Sequence, residues 1–214
     1  DTTGHVIDML PPYYQNCMDR GKYTLWQIID PAHKKPFAVC WWAHFPNRVK
    51  ICIAEWPDES MRPFHKIKSW PWGYEAYAKM TVATEKAIGK PAYATIFDPN
   101  YAPATTMSTK GKTSDAAEFI KEYRLATGGR LSADGASVIG GKSRRVIFPS
   151  DAINPGHMLV KANLGNPSQG VTPMGYIMST CRNMRFGLSN YGVKENKDER
   201  KGFSEVPELQ FKDF

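Results

Sequence analysis

Apolar positions in this chain keep the two-residue rhythm of strands first and the longer rhythm of helices later. Residues 23–29, 37–45 and 48–56 read as successive strands rich in β-branched and aromatic side chains, the last two joined as a tight hairpin through Pro46-Asn47. The second of these is apolar on both sides (Phe37, Ala38, Val39, Cys40, Trp41, Trp42), which predicts burial on both faces. The third alternates, with Val49, Ile51 and Ile53 on one face and Lys50 and Cys52 on the other. Residues 57–73 read as a loop. Helical spacing follows over 74–88, with Tyr77, Met80, Thr84 and Ala87 on one side and Gly89 as the C-cap.

Residues 91–97 form a further predicted strand. Ser114 is the expected N-cap of a helix over 115–125 that Gly128-Gly129 ends, because its hydroxyl accepts from a first-turn amide. A helix from Ser150 or Asp151 through Leu164, a short strand over 176–179 and a helix over 181–191 complete the pattern, and 192–208 read as a charged loop. Residues 1–22 are a polar, proline-containing lead-in, an arm or linker remnant, and 23–214 form one domain. A meander followed by alternating helices and strands predicts an α/β three-layer domain with a mixed central sheet and flanking helices.

Composition narrows the class. At 214 residues with 42% hydrophobic side chains the chain is globular and long enough for one sizeable core. A net charge of +7 favours a polyanionic partner without naming it. Cys17, Cys40, Cys52 and Cys181 show no CxxC spacing, so neither a zinc ribbon nor a disulfide framework is indicated, and a reducing compartment is expected. No apolar run approaches a membrane span and no signal-peptide pattern opens the chain, which argues against secretion. The chain lacks an initiator Met and stops at Phe211-Lys212-Asp213-Phe214, so it reads as a fragment of a longer protein.

The chemistry-bearing pattern is a repeated Asp-Pro. Leu25-Trp26-Gln27-Ile28-Ile29-Asp30-Pro31 and Tyr93-Ala94-Thr95-Ile96-Phe97-Asp98-Pro99 each end a strand-like run on a carboxylate, where proline stops the ladder. On neighbouring strands the two carboxylates would emerge at one edge, an arrangement suited to a hard divalent cation; as isolated features they are turn openers. Glu55 ends the third strand on the same edge and is a candidate neighbour, as is His33, close to Asp30 in sequence. Ala136-Ser137-Val138-Ile139-Gly140-Gly141-Lys142-Ser143 superficially fits a phosphate loop, but a strand-like run ended by Pro149 follows where a helix is needed. What remains is a basic, glycine-rich loop carrying Arg130, Lys142, Arg144 and Arg145, either a contact for DNA phosphates or a solvated hairpin. Trp26, Trp41 and Trp42 belong to strands and are expected in the core, whereas Trp70 and Trp72 lie in a loop. No nucleophile–base pairing supports covalent catalysis.

Taken together, the segments resemble the C-terminal nuclease domain of the large terminase subunit of tailed bacteriophages. Asp30-Pro31-Ala32 resembles that family's first acidic motif, and Phe97-Asp98-Pro99 its second. Ile177-Met178-Ser179-Thr180-Cys181-Arg182-Asn183 with Leu188-Ser189-Asn190-Tyr191 resembles the strand and helix before the last motif, and Phe211-Lys212-Asp213-Phe214 the start of that motif. The resemblance implies an RNase H-like fold and an endonuclease that cuts concatemeric double-stranded viral DNA. It implies two Mg²⁺ or Mn²⁺ ions held by Asp30, Asp98 and Asp213, with no nucleotide bound in this part of the chain. The usual Asp-Ala-Leu-Arg-Tyr continuation of the last motif is absent, which leaves the third ligand between Asp213 and a later residue. The implied partners are an ATPase domain of the same chain, the small terminase subunit and the portal protein, with action in the host cytoplasm at the procapsid portal. Alternatives are another RNase H-like nuclease, such as a resolvase or transposase core, and a DNA-gripping motor domain that does not cut. Residues 128–145 are expected to gate DNA access.

Overall fold

Alternating burial organises the first half of the structure, a computed structural model. It describes residues 3–32, 35–58, 72–101, 106–108, 111–149, 163, 165, 170, 172–189, 193–195 and 203–207. After β1 (Val6–Ile7) and α1 (Pro12–Asp19) comes the predicted meander, β2 (Thr24–Asp30), β3 (Ala38–His44) and β4 (Lys50–Trp56). The turn between β3 and β4 is longer than Pro46-Asn47 alone. Arg48 N–H donates to Phe45 O at 2.9 Å, and Arg48 takes a left-handed φ of 69° that lets the chain re-enter the ladder at Val49.

α2 (Tyr74–Ile88) then crosses over to β5 (Ala94–Phe97), and Gly89 closes the helix at φ 86° as the sequence predicts. A hairpin of β6 (Thr106–Ser108) and β7 (Gly111–Thr113) leads to α3 (Asp115–Ala126). Ser114 caps α3, its hydroxyl accepting from Ala117 N–H at 3.1 Å. A second small hairpin, β8 (Arg130–Leu131) and β9 (Val138–Ile139), precedes β10 (Val146–Ile147). β11 (Gly175–Met178) and α4 (Arg182–Ser189) follow. The region read as a charged loop contains β12 (Val193–Glu195) paired antiparallel with β13 (Phe203–Pro207), a correction to the expectation for 192–208. The helix predicted from Ser150 or Asp151 through Leu164 lies almost wholly outside the described residues.

The main sheet has seven strands in the order β1-β11-β4-β3-β2-β5-β10. β2 pairs antiparallel with β3 and parallel with β5, and β4 pairs antiparallel with β3 and parallel with β11, so β2, β4, β5, β10 and β11 all point one way. Central β3 buries Val39, Cys40, Trp41 and Ala43, in agreement with its two-sided apolar pattern. One face of the sheet packs on α2 and α3 through Leu25, Ile29, Trp41, Tyr77, Phe97 and Phe119. The other face carries Cys40, Cys52, Ile177 and Cys181 beneath α4. Val6–Ile7, within the polar lead-in, adds the edge strand beside β11, and Cys17 of α1 is buried in the larger core. The arrangement is the α/β three-layer, mixed-sheet architecture of an RNase H-like domain. Among the described residues no helix is long and apolar enough to cross a membrane.

Candidate functional site

Asp30 and Asp98 come to the same edge of the sheet because their strands are parallel neighbours in matched register. Trp26 stands opposite Ala94 and Ile29 opposite Phe97. The residues that follow, Asp30 and Asp98, therefore leave the sheet at the same level, with Asp98 N–H still donating to Ile29 O at 3.3 Å. Pro31 and Pro99 end both ladders there, since proline has no amide proton to continue them. Asp98 is held by its own turn: one carboxylate oxygen accepts from Asn100 N–H at 2.8 Å and from Asn100 Nδ2 at 2.9 Å. Both carboxylates are half-buried. Two hard-oxygen side chains at one edge are a donor set that suits Mg²⁺ or Mn²⁺. Among the described residues no group of three His, Cys, Asp or Glu side chains gathers to hold a metal ion. His33 and Asp213 lie outside the described residues.

Glu55 reaches the same face by a route the alternation does not show. Trp42 pairs with Cys52 but Trp41 pairs with Ala54, so Ile53 is an extra residue in β4. A bulge of this kind reverses the in–out parity beyond it. Unbroken alternation would set Glu55 beside Ile51 on the helix-packed face; the bulge instead places it opposite Cys40, on the face of Ile28 and Asp30. There the carboxylate is held by backbone amides. Its two oxygens accept from Asn183 N–H and Met184 N–H, each at 2.8 Å, at the start of α4. Asn183 Nδ2 donates to Pro57 O at 2.7 Å, so the end of β4 and the start of α4 are locked together. Burial pushes the Glu55 carboxyl up to about 7, against the lowering influence of the two amides. The structure thus brings Glu55 to the Asp30 face, one row from Asp30, where it also anchors α4.

The Asp30 face is graded along the strands. Asp30 stands at the end; Ile28, Cys40 and Glu55 form the next row; Trp26, Trp42 and Cys52 follow; Thr24, His44 and Lys50 come last. A cavity of about 570 Å³ runs over these rows, lined among others by Asp30, Glu55, Trp26, Trp42, His44 and Lys50. Trp41 is fully buried as expected, but Trp26 and Trp42 are half-buried and line this cavity. The signal was available: residues 26, 28 and 30 of β2 share one face, so the first indole follows the carboxylate. Burial and the nearby Lys50 ammonium lower the pKa of His44. Trp72 stacks on Trp56 with ring centroids 4.6 Å apart, which is packing; Trp70 lies outside the described residues.

The basic loop divides. Arg130, Lys142 and Arg145 are exposed. Arg144, expected with them as a phosphate contact, is only 5% exposed and is corrected to a structural role. Its guanidinium pairs with Glu85, donates to Ala92 O at 2.8 Å and to Gln27 Oε1 at 3.2 Å, and lies over the Tyr123 ring. Gln27 in turn accepts from Thr95 and donates to Thr81, and Tyr123 donates to Glu85. This buried network ties β2, β5, α2 and α3 to the segment before β10. Consecutive residues entering a strand point to opposite faces, so one of Arg144 and Arg145 had to turn inward. The loop expected to gate access is pinned as well. Arg124 donates twice to Gly140 O, at 3.2 and 3.1 Å, and Lys142 N–H donates to Thr127 Oγ1 at 2.8 Å. At Gly141, with φ 73°, a Cβ would come within 2.1 Å of Arg124 O, so only glycine fits that approach. Among the described residues, 142–149 contain no helix to receive a phosphate.

No family model matches the chain, and no curated protein is significantly similar to it. Solved structures are. The large terminase of a thermophilic bacteriophage superposes with a TM-score of 0.57 at 16% identity, over 99% of this chain and 40% of that one. The same terminase in complex with ADP gives the same values, and its complex with ATP-γ-S gives a TM-score of 0.54 at 17% identity. The fold is terminase-like, and the chain spans 40% of the length of the terminase chains it matches.

Proposed function

We propose that this chain is the metal-dependent endonuclease domain of a viral DNA-packaging terminase. The observation that carries the reading is the convergence of Asp30 and Asp98 at the ends of adjacent parallel strands. Two carboxylates leaving adjacent strands at one level present the hard oxygen donors that a divalent cation takes. Asp30 and Asp98 would hold the divalent ions, Mg²⁺ or Mn²⁺, with Asp213 as the third carboxylate. When bound, such ions supply Lewis-acid stabilisation of the charge that develops on a phosphodiester during hydrolysis. The protein's own part is positional. Asn100 orients the Asp98 carboxylate, Glu55 and α4 hold the end of β4 two strands away from β2, and exposed Arg130, Lys142 and Arg145 supply positive charge for the DNA backbone. No side chain needs to act as a nucleophile. In this reading the substrate is concatemeric double-stranded DNA. The partners are an ATPase domain of the same polypeptide, the small terminase subunit and the portal protein, meeting at the procapsid in the host cytoplasm.

Nicking of supercoiled plasmid by the purified chain with Mn²⁺ or Mg²⁺ tests the proposal. Asp30→Asn and Asp98→Asn should each abolish cleavage and leave thermal unfolding close to wild type. Undiminished metal-dependent nicking by the Asp30 variant would sink the assignment. Tight DNA binding without any nicking would favour a gripping domain instead.

A further inference from the structure

Of the two adjacent arginines, one is neutralised in the core and the other is displayed. Arg145 makes no ion pair among the described residues. Its Nη1 donates to the Tyr93 hydroxyl at 2.8 Å, and its guanidinium carbon sits 5.6 Å from the centre of that ring. Tyr93 is 56% exposed, and its ring and that of Trp26 meet edge to face with centroids 5.3 Å apart. Trp26 is on the Asp30 face and lines the same cavity as Asp30. Ile147 pairs with Ile96, another residue of that cavity, so by alternation Arg145 belongs to the same side.

We propose that Trp26, Tyr93 and Arg145 form a platform that holds the DNA backbone upstream or downstream of the cut. It rests on the nuclease reading above and gives that reading a footprint. The chemistry fits a polyanion carrying flat rings and sugars. Arg145 is a guanidinium able to fork onto a phosphate, and the Tyr93 hydroxyl, accepting from Arg145, keeps its own proton to donate. The two aromatic rings offer a surface for a sugar or a splayed base. Charge complementarity names the occupant, since the chain carries a net +7 while the acidic pair stands apart at the strand ends. Distance sets the register. Trp26 is four residues from Asp30, about 13 Å at a strand's rise, which corresponds to roughly four nucleotides of duplex at 3.4 Å each.

The test is fluorescence anisotropy of a labelled 20-base-pair duplex, titrated with the full chain in EDTA over a series of salt concentrations. Arg145→Gln should reduce the slope of log affinity against log salt by about 0.9, the release expected for one lost phosphate contact. Arg145→Lys should keep the slope. Tyr93→Ala, which removes the hydroxyl donor and the ring beside the backbone, should weaken binding about fivefold at constant slope. Both side chains are exposed, so the variants should melt like wild type; if Tyr93→Ala does not fold, Tyr93→Phe, which removes only the hydroxyl, replaces it. An Arg145→Gln variant with wild-type affinity and slope overturns the platform, even where plasmid nicking remains dependent on Asp30. Nicking that survives Asp30→Asn overturns the nuclease reading and the four-nucleotide register with it, while a slope change at Arg145 would still support DNA holding.

Discussion

Glu55 is a carboxylate whose folded-state environment favours the proton. Only 9% of it is exposed, and burial outweighs the two amide bonds from α4. A pKa raised on folding means that the native state binds the proton more tightly than the unfolded chain. The contribution is therefore fully present below the ordinary carboxylate range and is lost as pH climbs to about 7. Glu55→Gln removes that titration. We expect the stability difference between wild type and Glu55→Gln to fall by about 3 kcal/mol between pH 4.5 and pH 7.5. Urea unfolding of both proteins across that interval measures it, and a pH-independent difference would contradict the burial argument. The Asp30 and Asp98 positions were legible because proline marks a strand end on the chain itself. The inward turn of Arg144 was not, because its partners Glu85, Gln27 and Tyr123 come from three separate elements.

At the scale of elements, most of the secondary structure was written in local signals. Tyr74–Ile88 has its predicted bounds, Ser114 caps α3, and the strands of the meander fall within two residues of expectation. What local signals do not encode is register. The parity reversal at Ile53 depends on which residues of β3 lie opposite, and nothing in Lys50–Trp56 alone announces it. The bulge makes a particular prediction. Deleting Ile53 restores an uninterrupted ladder and leaves Ala54, Glu55 and Trp56 on their present faces. Such a variant should fold cooperatively with a loss of about 1–3 kcal/mol, mainly from the missing apolar side chain. Deleting Ala43 from the facing strand shifts one end of β3 to the wrong face and should prevent folding. Circular dichroism and urea unfolding distinguish the two outcomes. The pairing of β12 with β13 escaped the sequence for a related reason: charged, irregular segments carry no period, so their partners are found only in space.

For the whole molecule, the architecture followed from the order of rhythms, a meander and then alternating helices and strands. The contribution of residues 1–22 did not, because a two-residue strand and an eight-residue helix leave almost no periodic trace. Yet α1 buries Cys17 and packs Tyr14 against Phe45, and β1 completes the sheet next to β11. Removing residues 1–22 should therefore lower stability by at least about 3 kcal/mol, read as a shift in the urea midpoint. An unchanged midpoint would show that the segment is dispensable. The same edge strand has a mechanical meaning. Tension applied to the start of the chain enters the sheet through Val6 and Ile7, a rung pair against Ile177 and Met178. From β11 it passes to β4, whose end grips α4 through Glu55. A tug at the N-terminus is thus delivered, through backbone rather than through solvent, to the end of the sheet where the acidic residues stand.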